Sequence, residues 1–289
     1  MNRYYVPAQS PWPIVGAIAL FLLALGAGTL VNELAHQQSG MGRYLLLAGA
    51  LLLLLMLVGW FRHIIGESLG GLYSGQMDRS FRQGMSWFIF SEIMFFLAFF
   101  GALFYARLIA MPWLGGEGHH VLTGQLLWPD FTAHWPMTKT PGGTQTQAMP
   151  WQGLPLINTL LLLTSSVTLQ FAHQALERGQ RLRLKIMLLL TLLLGTGFLI
   201  LQGVEYLHAY RELGLRLDTG IYGNTFFMLT GFHGLHVTLG AIMLTVIWLR
   251  IVLRDHFTPE HHFGFQAAAW YWHFVDVVWL CLFTFVYLL

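Results

Sequence analysis

Ionisable side chains sit inside apolar runs of this sequence, among them Glu92, Glu205, His233, His236, His273 and Asp276. A charge-capable group within a membrane helix is costly, so it normally faces a protein interior and has a partner. His273 and Asp276 are three residues apart in Trp270-Tyr271-Trp272-His273-Phe274-Val275-Asp276 and share one helix face. Their segment is therefore expected to pack against other helices. His233 and His236 have the same spacing, which could hold a metal or sit beside a haem. A haem needs opposed ligands, and only His273 offers a further one; the competing reading is helix-to-helix hydrogen bonding beside Gly231 and Gly234.

Glu92 lies in Phe88-Ile89-Phe90-Ser91-Glu92-Ile93-Met94-Phe95-Phe96. It stands about ten residues into its apolar run, roughly 15 Å deep, near the middle of a hydrocarbon core about 30 Å thick. An ionised carboxylate is disfavoured there, so a neutral acid is expected. Its chemistry would be proton relay or cofactor contact; the bland alternative is a buried acid hydrogen-bonded to a neighbouring helix. Glu205, with Gln202 one turn away, reads as an interfacial acid with local partners. His119, His120, His134, His261 and His262 lack acid or thiolate companions at ligand spacing, so no metal site is expected.

The chain that must position these groups has 289 residues, is 56% hydrophobic and only 10% charged. A soluble domain carries roughly 25% charged residues, so this is a polytopic membrane protein of all-α class. A net charge of +2 gives no reason to expect nucleic acid. The single cysteine, Cys281, excludes an internal disulfide framework. Seven segments are long enough to span: roughly 13–34, 44–65, 84–110, 155–175, 184–208, 221–253 and 264–289. The first run is longer than a signal-peptide core, although Ala24, Gly26, Ala27 and Gly28 keep cleavage open.

Placing the N-terminus in the cytoplasm puts ten basic residues inside: Arg3, Arg62, Arg79, Arg82, Arg178, Arg181, Arg183, Lys185, Arg250 and Arg254. Five fall outside: Arg43, Arg107, Lys139, Arg211 and Arg216. The positive-inside rule then gives N-inside and C-outside. Residues 111–154 form a long outer loop whose Trp113, Trp128, Trp135 and Trp151 are expected at the bilayer surface. The chain reads as one domain, 1–289, with helices one and two in 1–70, a linker at 71–83, and helices three to seven in 84–289. At headgroup depth on the inner side, Trp60, Arg62 and Glu67 reach the level of Arg250, Arg254 and His256. Such basic pockets hold anionic lipid headgroups; ordinary snorkelling is the alternative.

Ser91-Glu92-Ile93-Met94-Phe95-Phe96, Tyr222-Gly223-Asn224-Thr225-Phe226-Phe227, Thr230-Gly231-Phe232-His233-Gly234-Leu235-His236 and the run from His261 to Trp279 closely resemble subunit III of cytochrome c oxidase. Leu156-Ile157-Asn158-Thr159 and Ala172-His173 add to the match, which runs in order from the second helix onward. The resemblance implies two bundles, helices one–two and three–seven, forming a V-shaped cleft filled with phospholipid. It implies no cofactor in this chain, with haem and copper in partner subunits I and II. Subunit I is the implied main contact, and cytochrome c acts on the complex rather than on this chain. The implied role is to sustain proton uptake and protect the complex from turnover inactivation. Glu92 matches the family's buried third-helix acid; Trp60, Arg62, Glu67 and His256 match headgroup-contacting positions. Departures are Phe61, Gly66 and Leu72-Tyr73-Ser74-Gly75, where the family commonly has Trp, Arg and Gly-His-His-Thr. The long outer loop looks like the bacterial form, which implies an inner-membrane location. Two other functions stay open on residues alone: a membrane haem protein using His233, His236 and His273, and a self-contained proton transporter using Glu92.

Overall fold

The computed structural model describes Tyr5 and residues 9–289. Arg3, counted in the charge balance above, lies outside the described residues. Seven long helices account for most of the chain: α1 (Trp12–Ala35), α2 (Gly42–Leu69), α3 (Gly75–Tyr105), α4 (Leu154–Glu177), α5 (Arg181–Arg211), α6 (Ile221–Arg254) and α7 (Phe263–Leu282). All seven are long and apolar enough to cross a membrane. α3 continues through a π-turn at Ala106–Ala110 to Leu114, and α7 through a π-turn to Leu288.

Four of these helices run two or more residues beyond the apolar segments at one end or both. The largest difference is at α3, which begins at Gly75 rather than near Gly84. Gln76-Met77-Asp78-Arg79-Ser80-Phe81-Arg82-Gln83 is too polar to count as membrane-spanning, yet it contains good helix formers. Once helix is nucleated in the apolar part, each added residue gains a backbone hydrogen bond. The expected linker at 71–83 therefore shortens to a turn before Gly75.

The chain divides into two compact units, Met1–Phe81 and Arg82–Leu289. In the first, α1 and α2 form a hairpin. A Cβ on Gly26 would come within 2.3 Å of the Leu46 backbone nitrogen, so the two backbones touch there. Lipid tails are as apolar as leucine, so close packing of small residues, not hydrophobic burial, holds such pairs. Glu33 Oε1 accepts a 2.9 Å bond from the Gly42 N–H and satisfies an orphan donor at the start of α2.

In the second unit α7 is the central element. Trp272 and Trp279 on it are fully buried, as are Phe265 and Leu282. The Trp272 ring lies against Gly195 of α5 and Gly240 of α6; a Cβ on Gly195 would sit 2.5 Å from it. Both indoles also donate to α4: Trp272 Nε1 to Ser165 Oγ and Trp279 Nε1 to Thr159 Oγ1, each at 2.9 Å. Thr168 and Thr191 join α4 to α5 at 2.8 Å, and Tyr206 and Thr230 join α5 to α6 at 2.8 Å. Tryptophan body and polar tip are thus both satisfied at the middle of the bundle.

The long connection after α3 is tied back to the bundle. Tyr222 of α6 accepts the Met149 N–H at 3.1 Å, and the Gln147 N–H reaches the Leu213 carbonyl at 3.0 Å. Trp135 packs edge-on against Tyr222, and Arg107 lies over the Trp135 ring.

Candidate functional site

α3 and α6 bring together two groups that the sequence leaves 144 positions apart. His236 Nε2 lies 2.8 Å from Glu92 Oε2. The other ring nitrogen, Nδ1, lies 2.7 Å from the Phe232 carbonyl oxygen one turn earlier on α6. A carbonyl only accepts, so Nδ1 carries a hydrogen. The contact with Glu92 then holds one proton between Nε2 and Oε2. That proton rests either on the carboxyl group, which donates to a neutral imidazole, or on the imidazole, which donates to a carboxylate. Both arrangements are net neutral. The acid is thus hydrogen-bonded to a neighbouring helix, the alternative left open by the sequence, and its partner is an imidazole. Phe95 and Phe96 flank the imidazole, with ring centroids 5.8 and 4.9 Å away, and Tyr271 stacks on it at 6.3 Å. Few polar neighbours compete for the proton, which makes the pair a short proton-holding element.

His233 has another fate. It is buried, and its Nε2–H donates to the Val275 carbonyl of α7 at 3.1 Å. Trp279 and Phe198 pack on its ring. The two histidines of α6 therefore face different helices, α7 and α3, and do not converge on one ion.

His273 and Asp276 do share a face, and α4 supplies what joins them. His273 Nδ1 lies 2.7 Å from Ser166 Oγ, and the Ser166 hydroxyl donates to Asp276 Oδ2. Ser166 is the member that spacing on α7 alone does not reveal; the polar run Thr164-Ser165-Ser166 within apolar α4 is its signal. Glu205 differs from expectation. It is fully buried, and its Oε1 accepts a 2.5 Å bond from a distant rather than a local partner, Tyr287, 82 positions away. The C-terminal turns of the chain close over this end of α5, which a local reading of Gln202 and Glu205 does not anticipate.

Of Trp60, Arg62, Glu67, Arg254 and His256, Glu67 is a hub within the first unit. It accepts from Tyr5 and Tyr73 hydroxyls at 2.8 Å each, with His63 Nε2 at 3.2 Å. Burial, followed by the bond to Glu67, pushes the Tyr73 hydroxyl up. The Glu67 bond likewise raises Tyr5. Tyr73 stands in the Leu72–Gly75 segment that departs from the family pattern. Trp60 and Arg62 are exposed. In the second unit Arg254 is exposed, and Arg250 Nε reaches His256 Nδ1 at 3.5 Å. Partial burial, then Arg250 and Arg254, hold His256 below the usual histidine range. Arg250 also covers the Phe257 ring at 4.4 Å.

The family model described as "Cytochrome c oxidase subunit III" matches residues 2–124 and 126–289. The chain belongs to this family. It is 44% identical over 287 residues to cytochrome c oxidase subunit 3 of Oncorhynchus mykiss, covering 99% of this chain and 97% of the relative. The same protein of Gadus morhua and of Squalus acanthias is 42% identical over the same coverage.

Membership makes this chain a subunit of cytochrome c oxidase, a respiratory oxidoreductase complex, with subunits I and II as its partners. The family lacks redox centres. His233, His236 and His273 turn to different helices, α7, α3 and α4. Among the described residues, the one group of three metal-capable side chains lies elsewhere, at His173, Glu177 and His262.

Proposed function

We propose that this chain is the non-redox subunit III of a proton-pumping terminal oxidase, where it packs on subunit I, retains phospholipid and sustains proton uptake over many turnovers. The observation that carries the reading is the Glu92–His236 pair. It can hold and release a proton without a metal, and its imidazole is enclosed by aromatic rings. Trp60 and Arg62 on α2, and Arg254 on α6, are exposed, and exposed arginines beside an aromatic ring suit anionic headgroups. Glu67 acts there by ordering Tyr5 and Tyr73, because its oxygens already receive protein donors. The positive-inside balance supports a cytoplasmic N-terminus, and the long connection after α3 supports a bacterial plasma membrane.

Glu92→Gln tests the reading. A glutamine amide still donates to His236 Nε2, so the helix contact survives while the mobile proton is lost. The assembled variant should keep the haem spectrum and the rate of early turnovers, and should lose activity faster over many turnovers. Loss of the first turnovers in an assembled complex would place Glu92 in the catalytic proton path instead.

A further inference from the structure

By spacing alone His262 is a loop histidine without ligand companions; the fold supplies them. His173 and Glu177 stand one turn apart at the end of α4, and His262 precedes α7. Ligand atoms of all three lie within 4.8 Å of one another. We propose that His173, Glu177 and His262 form a binding site for a divalent transition-metal ion of the zinc class.

The nitrogen chemistry favours an ion. His262 Nδ1 lies 3.2 Å from the Thr258 carbonyl, so it carries the hydrogen and leaves the Nε2 lone pair free. A carbonyl that fixes the tautomer of a liganding histidine is the usual outer support of such sites. His173 Nε2 is buried and has no hydrogen-bond partner; Glu177 Oε1 is 3.8 Å away, beyond hydrogen-bond length. A buried nitrogen left without a partner is costly, and a metal bond would satisfy it. Phe265 packs 5.5 Å from the His173 ring and shields one side.

The geometry needs a modest closure. Donors about 2.0–2.1 Å from a tetrahedral ion stand roughly 3.3 Å apart. Glu177 is exposed and can swing in, and His262 lies on the connection between α6 and α7. That connection is held against α5 at its other end: Arg181 Nη1 donates to the Phe257 carbonyl at 2.7 Å, and Lys185 Nζ lies 3.6 Å from Asp255. The closure is therefore local. Two imidazoles and one carboxylate suit zinc, cobalt, nickel or copper, and leave a position for water. Calcium and magnesium are held by oxygen ligands, and here only one carboxylate stands among several basic residues, so neither should compete.

The test titrates Zn²⁺ into the full-length chain purified in detergent, in competition with a chromogenic chelator, with Co²⁺ as a visible reporter of coordination. Binding should weaken roughly 10- to 100-fold in His173→Gln and in His262→Gln, stay unchanged in His261→Gln, and resist excess Ca²⁺ and Mg²⁺. The Co²⁺ spectrum should show intense tetrahedral bands that both histidine variants lose. If His173→Gln loses helix content by circular dichroism, the exposed Glu177→Gln replaces it and should also weaken binding. Zinc affinity unchanged by His262→Gln and by Glu177→Gln would overturn the proposal, leaving His173–Glu177 as an ordinary pair along a helix.

Discussion

His236 sets what Glu92 can do. An isolated carboxyl in an apolar bundle has little choice but to stay neutral, whereas a carboxyl facing an imidazole can give up its proton at constant net charge. The two should be energetically coupled. A double-mutant cycle with Glu92→Leu and His236→Leu, neither of which can keep the hydrogen bond, should give about 0.6–1.7 kcal/mol of interaction, the range for polar pairs between membrane helices. Unfolding the chain in detergent measures it, and strict additivity would mean that the pair is not formed. His256 offers a second residue-scale test. Burial and two arginines lower it, so its imidazole should titrate below about 6.5. A histidine lowered in the folded state takes up protons more readily when unfolded. Its contribution is therefore present above about 6.5 and lost as pH falls through the folded value. NMR of labelled imidazoles should show the lowered midpoint, and Arg250→Gln should move it up. Much of this was hidden from the sequence. The spacing of His273 and Asp276 put both on one face, but Ser166, which joins them, lies on α4. The Glu92–His236 and Glu205–Tyr287 contacts are between residues too far apart for periodicity to pair.

At the scale of elements, α7 carries the second unit, and its two tryptophans are the parts most sensitive to change. Gly195→Ala would drive a methyl into the Trp272 ring, a case of overpacking that costs about 1–3 kcal/mol. Ser165→Ala would instead leave the Trp272 N–H unsatisfied, at about 1–3 kcal/mol. Both should lower the thermal midpoint of the purified complex, while Gly203→Ala, which meets open space, should not. A Gly195→Ala variant as stable as the parent would show that Trp272 does not fill that slot. Elements were more legible than contacts. Long apolar runs locate all seven helices because a span must satisfy its backbone internally. What they miss is the polar extension of a helix, such as 75–83, where the side chains are no longer apolar but the backbone simply continues. The buried helix α7 and the exposed α2 read alike as apolar runs; it was His273 and Asp276 that marked α7 as packed against other helices.

For the whole molecule, orientation and role are the open claims. Orientation is tested by labelling single cysteines: one at Gly142 should react from the outside and one at Arg178 only from the inside. Arg178 is the better inner position, because neighbouring Gly179 holds a φ of +67° that a cysteine would strain. The reverse pattern would overturn the N-inside arrangement. The central claim is that this chain sustains the oxidase rather than performing its redox chemistry. Purifying the complex with and without the chain, then following oxygen consumption from the first turnovers to exhaustion, tests it most directly. Both preparations should show the same haem spectrum and a similar early rate, and the one lacking the chain should lose activity after far fewer turnovers. An altered haem spectrum, or a complex without the chain that endures as long as the intact one, would contradict the account.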